Sequence, residues 1–247
     1  MTPDDILSLP GMPPGNPSYP FGPYRFVDRE YFTIAYDTDA EALRAWLPEP
    51  LEPDGSGTVV YEWIRMPDSA GFGSYQESGL VIPALFEGAP VNYTAMMFLN
   101  DEPPITAGRE IWGFPKRWGE PDLHVAQDTL TGSLDYAGQR VALGTMAYKP
   151  ERLACDREAC ARALAKTHVN LKLIPCVSGA PLVAQLVAFA MTEITVKGMW
   201  RGPARLHLVP HVHAPVADLP VRRVVEGRHF LADMTLPYGR IVHDYRA

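Results

Sequence analysis

The sequence predicts an α+β protein that is mainly antiparallel β. Three observations carry this reading. Short apolar or alternating runs recur along most of the chain, Gly, Pro, Asn and Asp separate them, and few windows carry a helical signature. Strands at this spacing are expected to form antiparallel sheets that pack together or close.

The elements are expected in the following order. Residues 1–23 contain Pro3, Pro10, Pro13, Pro14, Pro17, Pro20 and Pro23. That density argues against regular helix and suggests an extended arm laid over the body or a partner subunit. Arg29 to Tyr36 is rich in β-favouring residues. Thr38 and Glu41 have capping-box spacing, so Ala40 to Leu47 is read as a short helix stopped by Pro48. Thr58–Arg65, Leu80–Phe86, Tyr93–Leu99, Leu130–Tyr136 and Val141–Tyr148 are read as strands. Asp156–Thr167 is an amphipathic helix with Leu164 on its buried side. Val169–Ile174, Leu182–Gly198, Ala204–Val209 and Phe230–Leu236 return to strand-like composition, although residues 181–190 also fit a helix. No repeat and no interior linker is evident, so residues 24–247 are read as one domain of ten or more strands and two or three helices.

Bulk properties restrict the function. A formal charge of -7 disfavours general nucleic-acid binding, and the Arg222-Arg223 pair is too short to reverse that. The chain lacks an apolar run of 18 residues, and Met1-Thr-Pro-Asp-Asp does not resemble a secretory leader, so a cytoplasmic protein without a membrane partner is expected. Cys155, Cys160 and Cys176 are odd in number and lack C-x-x-C spacing, which fits reduced thiols.

The segment Gly108-Arg-Glu-Ile-Trp112-Gly-Phe114-Pro-Lys116-Arg117-Trp118-Gly119 sets a lysine beside a fixed cation among aromatic residues. An ordinary lysine, with a pKa near ~10.4, is unprotonated in only about one part in a few thousand at pH 7, and is a poor nucleophile toward a ketone. Desolvation by Trp112, Phe114 and Trp118, with repulsion from Arg117, would lower the Lys116 pKa. The alternative is a solvated turn with both stems lying over the rings. Only four other lysines exist, Lys149, Lys166, Lys172 and Lys197, so few amines compete for the role.

Other residues read two ways. Glu77 lies among glycines near Tyr75, either beside a cavity or as a solvated loop acid; Glu62, between Tyr61 and Trp63, is equally ambiguous. Arg29, after Asp28, has a surface ion pair as its plain reading. His211-Val-His213 has a chelating spacing on a strand with Asp218 nearby, yet no recognisable third ligand, so no metal site is assigned. Phosphate-loop and Gly-x-Ser-x-Gly signatures are missing.

Several colinear segments together resemble the acetoacetate decarboxylase family. They are Gly22-Pro-Tyr-Arg-Phe-Val-Asp-Arg29-Glu-Tyr-Phe, Pro48-Glu-Pro-Leu, Tyr75-Gln-Glu77-Ser-Gly, Glu102-Pro-Pro-Ile-Thr-Ala-Gly-Arg109-Glu, Gly113-Phe-Pro-Lys116, Thr129-Leu-Thr-Gly-Ser-Leu-Asp-Tyr136 and Asp218-Leu-Pro-Val. The resemblance implies sheets closing into a cone-shaped barrel around a pocket, a cytoplasmic homo-oligomer, and a lysine Schiff base needing no cofactor. Lys116 matches the imine-forming position, and Arg29 and Glu77 match the arginine and acid at the pocket, with Phe114, Glu62 and Arg117 as further pocket candidates. That family is itself the standard illustration of an amine activated by desolvation or a neighbouring cation. The chain departs from the family pattern at Arg117, where a second lysine is usual.

The implied reaction converts acetoacetate, a β-keto acid, to acetone and carbon dioxide. Its rival on the same scaffold is an aldolase-dehydratase that joins pyruvate to an aldehyde. Retention of Arg29, Glu77 and Gly-Phe-Pro-Lys116 favours decarboxylation over that rival and over a non-catalytic ligand-binding module.

Overall fold

The computed structural model describes residues 2–9, 16–153 and 157–247. It begins with a short helix, α1 (Pro3–Leu7), which corrects the expectation that the prolines exclude helix near the N-terminus. Pro3 sits in the first turn, where no intrahelical N–H is needed, and Thr2 and Asp5 close a capping box. Pro10, Pro13 and Pro14 fall outside the described residues. Residues 16–23 then lie over the body, where the buried Tyr19 hydroxyl donates to Glu110 at 2.6 Å.

The body starts with β1 (Tyr24–Asp37), α2 (Ala40–Trp46), β2 (Glu52–Pro53), β3 (Thr58–Ser69), β4 (Gly73–Phe86) and β5 (Ala89–Leu99). There follow α3 (Glu102–Ala107), a π-helical turn (Gly108–Trp112), β6 (Lys116–Trp118), β7 (Glu120–Ala126), β8 (Thr129–Tyr136) and β9 (Gln139–Ala147). The last third holds β10 (Glu151–Arg152), α4 (Arg157–Leu164), β11 (His168–Pro175), β12 (Pro181–Phe189) and β13 (Thr192–Gly202). It ends with β14 (Ala204–Leu208), a 3-10 turn (Val216–Asp218), β15 (Arg223–Leu236) and β16 (Arg240–Asp244).

Twelve strands form one sheet in the order β10-β13-β15-β1-β3-β4-β5-β11-β12-β16, with β2 paired to β4 and β6 to β5. Pairing is antiparallel except where β5 meets β6 and β11. The end strands β10 and β16 do not pair with each other, so the sheet bends around its pocket without closing, and the expected barrel is corrected to an open sheet. A four-stranded sheet, β14-β9-β8-β7, packs on its other face.

Between the sheets lies one core, in which Phe32, Ile34 and Trp63 meet Leu130, Leu134 and Val141. The Trp63 indole, fully buried, rests on Gly132 and Gly144, which are cross-strand neighbours. A Cβ at either would come within 2.3 and 2.5 Å of the ring, respectively, so both positions need the bare backbone. The opposite face of the large sheet carries a second cluster containing Phe26, Tyr31, Ile64 and Phe230, and this cluster surrounds the pocket.

Several predicted boundaries shift. The N-cap of α2 is Asp39, and Thr38 makes no box; the Asp39 carboxylate pairs instead with Arg222 at 2.7 Å. Residues 181–189 are a strand, and the run 182–198 divides into β12 and β13. The predicted helix at Asp156 is α4, shorter than expected, with Asp156 itself outside the described residues. Four α-helices are described rather than two or three, because α1 and α3 carry prolines in their first turns, Pro3 in one and Pro103 and Pro104 in the other, residues that read as loop although helix first turns accept them.

Candidate active site

A β-bulge prepares the first site residue. The β1–β15 register shifts between Phe26 and Arg29, with Asp28 at φ 55°. Side chains alternate along a strand, so this shift lets Phe26 and Arg29, three residues apart, share the pocket face. Glu62 and Ile64 from β3, with Tyr75 and Glu77 from β4, face the same space. Glu77 is therefore a strand residue rather than a loop acid.

Lys116 opens β6, whose backbone runs parallel to β5 with Lys116 opposite Met97. The side chain passes directly against Gly108, in the π-helical turn. A Cβ on Gly108 would sit 2.6 Å from Lys116 Cδ and 3.2 Å from Nζ, so the glycine makes the space that the amine occupies. The Gly108 carbonyl also accepts from the backbone of Gly113 and Phe114, which fastens the loop leading to Lys116.

Lys116 Nζ donates to Glu77 Oε1 at 2.6 Å, and Glu77 Oε2 lies 3.6 Å from Arg29 Nη2. Lys116, Glu77 and Arg29 are 7, 2 and 6% exposed, which removes the surface readings of all three. The Arg29 guanidinium lies 4.8 Å from the Phe26 ring centre and 4.9 Å from that of Tyr31. Phe114 supplies the nearest aromatic wall, 5.1 Å from Lys116 Nζ. Burial is the main force lowering the Lys116 pKa; Glu77 opposes it and Arg29 adds to it. Glu62 lines the cavity, and burial raises its carboxyl to about 7 against the attraction of Arg29.

The cation acting on the amine is thus Arg29, not Arg117. Arg117 and Trp118 are exposed, and the Arg117 guanidinium donates to the His213 carbonyl at 2.8 Å and the Tyr136 hydroxyl at 2.9 Å. It does not line the cavity that holds Lys116, Glu77 and Arg29. Trp118, 57% exposed, does not desolvate the amine, and Trp112 is buried beside Tyr24 and Tyr238, outside the cavity lining. Of the three aromatics first credited, only Phe114 borders the amine.

The His211-Val-His213 pair lies on a turn rather than a strand, and His211 Nδ1 accepts from the His213 backbone at 3.1 Å. Among the described residues, no three His, Cys, Asp or Glu side chains gather in a metal-binding group. Sequence reasoning missed Tyr31, Met97, His168 and Phe189 of the cavity wall, all of which depend on register for their facing. Gly108 stood inside the segment first singled out, and its signal was a glycine in a helical turn next to a lysine loop.

The cavity, about 210 Å³, brings one buried amine, one carboxylate and one guanidinium into contact within largely apolar walls. A family model described as acetoacetate decarboxylase matches residues 8–246. The chain belongs to the acetoacetate decarboxylase family. A relative named acetoacetate decarboxylase from Burkholderia mallei (strain NCTC 10229) is 52% identical over 248 residues, covering 100% of both chains. Another from Acidiphilium cryptum (strain JF-5) is 54% identical over 236 residues, covering 96% of this chain and 95% of the relative. The crystal structure of the family member from Legionella pneumophila superposes with a TM-score of 0.94 at 47% identity, covering 99% of this chain and 96% of that one. An enduracididine biosynthesis enzyme, MppR, complexed with the condensation product of pyruvate and imidazole 4-carboxaldehyde, has a TM-score of 0.78 at 20% identity, covering 96% of both chains. At that identity the likeness concerns the fold.

Proposed function

We propose that the protein decarboxylates acetoacetate through an imine on Lys116. The observation that carries this reading is the buried Lys116–Glu77–Arg29 contact within an apolar cavity, in a chain of this family. A lysine amine lowered by desolvation is available as a nucleophile. Neutral Lys116 attacks the ketone carbon, water leaves, and a protonated imine results. The bond to the carboxylate then breaks, its electron pair moves into the imine, and carbon dioxide departs. Protonation of the enamine carbon and hydrolysis release acetone and restore the amine.

Arg29 is assigned to orienting the substrate carboxylate, and Glu77 to positioning Arg29 or shuttling protons to and from the Lys116 nitrogen and the substrate. Glu62, at about 7, retains a proton near neutrality that it can hand to the enamine carbon. Charge on the substrate disperses as carbon dioxide leaves, so an apolar wall such as Phe114 favours the transition state over the bound carboxylate.

We assign these steps to residues 24–247, with residues 1–23 as an arm, and infer a cytoplasmic homo-oligomer. The described cysteines, Cys160 and Cys176, are free thiols, which fits a reducing compartment. Exposed Leu173, Val177 and Leu182 on β11, β12 and their connecting turn offer apolar contacts for a second copy. Among the described residues, no helix is long and apolar enough to cross a membrane.

Incubation with acetoacetate tests the reaction. Carbon dioxide release is expected, together with a borohydride-reduced adduct on Lys116 that Lys116→Ala abolishes. Turnover of pyruvate with an aldehyde, without carbon dioxide from acetoacetate, would establish the aldolase-dehydratase instead; an adduct on Lys149 or Lys172 would refute the lysine assignment.

A further inference from the structure

The cavity continues well past the reacting groups. Backbone register places Lys116 opposite Met97, Met97 opposite Gly79, and Gly79 opposite Glu62, so these residues mark one level of the sheet. Glu77 and Arg29 lie to one side of that level. On the other side, β4 runs on through Val81 to Pro83, which faces Asn92, and Asn92 faces His168. Gly79 to Pro83 is four residues, roughly 13 Å at the usual strand rise. Pro83, Asn92 and His168 all border the same cavity as Lys116.

Between the two levels the wall is mostly apolar, with Val60, Val81 and Phe189, and Thr94 beside them. At the far end it becomes polar. The His168 ring stacks on Phe189 with centroids 5.4 Å apart, its Nε2 makes only a long 3.4 Å contact with Asn92 Nδ2, and its buried Nδ1 has no hydrogen-bond partner. Burial, with smaller contributions from Arg29 and Lys166, lowers the imidazole pKa to about 4. The ring is therefore neutral near pH 7 and offers one donor and one acceptor. The reaction proposed above uses neither His168 nor Asn92.

A β-keto acid with its carboxylate toward Arg29 and its ketone at Lys116 directs its acyl chain to this end. We propose that Asn92 and His168 form a tail-recognition subsite, and that the protein takes β-keto acids whose extended acyl chain ends in a neutral hydrogen-bonding group such as a hydroxyl. The inference rests on the Lys116 decarboxylation reading and names its substrate class. Val60 and Val81 accept the methylenes, and the polar end is matched at the imidazole, whose buried Nδ1 otherwise has no partner, and at the Asn92 amide beside it.

The test compares kcat/KM for acetoacetate, β-ketodecanoate and β-ketodecanoate hydroxylated at its terminal carbon, with borohydride trapping on Lys116 in each case. The hydroxylated acid should exceed the alkyl acid by about tenfold, the size of one well-made hydrogen bond. His168→Leu should cancel that ratio, and His168→Gln, which keeps a donor and an acceptor, should restore most of it. Acetoacetate turnover with rejection of both long acids overturns the subsite while sparing the decarboxylase reading. Equal rates for the two long acids, or a His168→Leu ratio unchanged from wild type, also overturns it. Absence of both turnover and adducts with every acid overturns the two readings together.

Discussion

Lys116 and Arg117 are consecutive in the chain and lie on opposite faces of β6. Lys116 Nζ is buried 2.6 Å from Glu77, whereas Arg117 reaches outward to His213 and Tyr136. The arginine is separated from the amine by the strand itself and is screened by solvent. Arg117→Gln should therefore leave the pH at which kcat/KM rises, as Lys116 loses its proton, within about half a unit of wild type. A shift toward the ordinary lysine value of more than about one unit would show that the neighbouring cation, rather than burial and Arg29, activates the amine.

Gly108 acts on Lys116 without touching substrate. Adding one methyl group there would place carbon 2.6 Å from Lys116 Cδ, and the lysine chain must move before the backbone does. Gly108→Ala should lower kcat by about a hundredfold, the usual consequence of displacing a reacting group by roughly an ångström. The effect should appear in kcat more than in KM, with slower borohydride trapping and an unchanged far-ultraviolet circular dichroism spectrum. Wild-type kinetics in a folded Gly108→Ala protein would remove the positioning role.

Glu62 makes stability depend on pH with a definite sign. Its folded value of about 7 lies above the ordinary 4.5, so between these limits the folded protein keeps a proton that the unfolded chain has released. The unfolding free energy must then fall as pH rises through the window. Glu62→Gln removes this contribution: relative to wild type, its melting temperature should match below about pH 4.5, gain through the window and level off above about pH 7. Parallel melting curves for the two proteins from pH 4 to 8 would contradict the assignment.

Much of the architecture was legible because strand runs and their Gly, Pro and Asn breaks are local signals. Open or closed geometry was not, since it depends on whether β10 meets β16 across the whole sheet. Lys116 stood out locally as a lysine among aromatic residues, and the imine role came to it only through the family resemblance; its neighbouring cation was misread, because adjacency in sequence suggested Arg117 and strand alternation turned that side chain away. Arg29 looked like a surface residue because the bulge at Asp28 that aims it inward leaves no clear local pattern. His168 gave no signal at all, because its place opposite Asn92 follows from a parallel pairing between strands 76 residues apart.

The seat of Trp63 links the two sheets and can be tested apart from catalysis. Gly132 and Gly144 face each other on β8 and β9, and the indole lies over both. Gly144→Ala would place a carbon 2.5 Å from Trp63 atoms and 2.9 Å from Ile34 Cδ1, in a core with no room for the ring to retreat. Overpacking of this kind costs about 1–3 kcal/mol, and the loss should appear as a lower urea midpoint with an unchanged slope. Trp63→Phe in the Gly144→Ala background should recover part of that loss, because the smaller ring vacates the contact. A double variant that loses the full sum of the two single effects would show that the indole is not what the added methyl group meets.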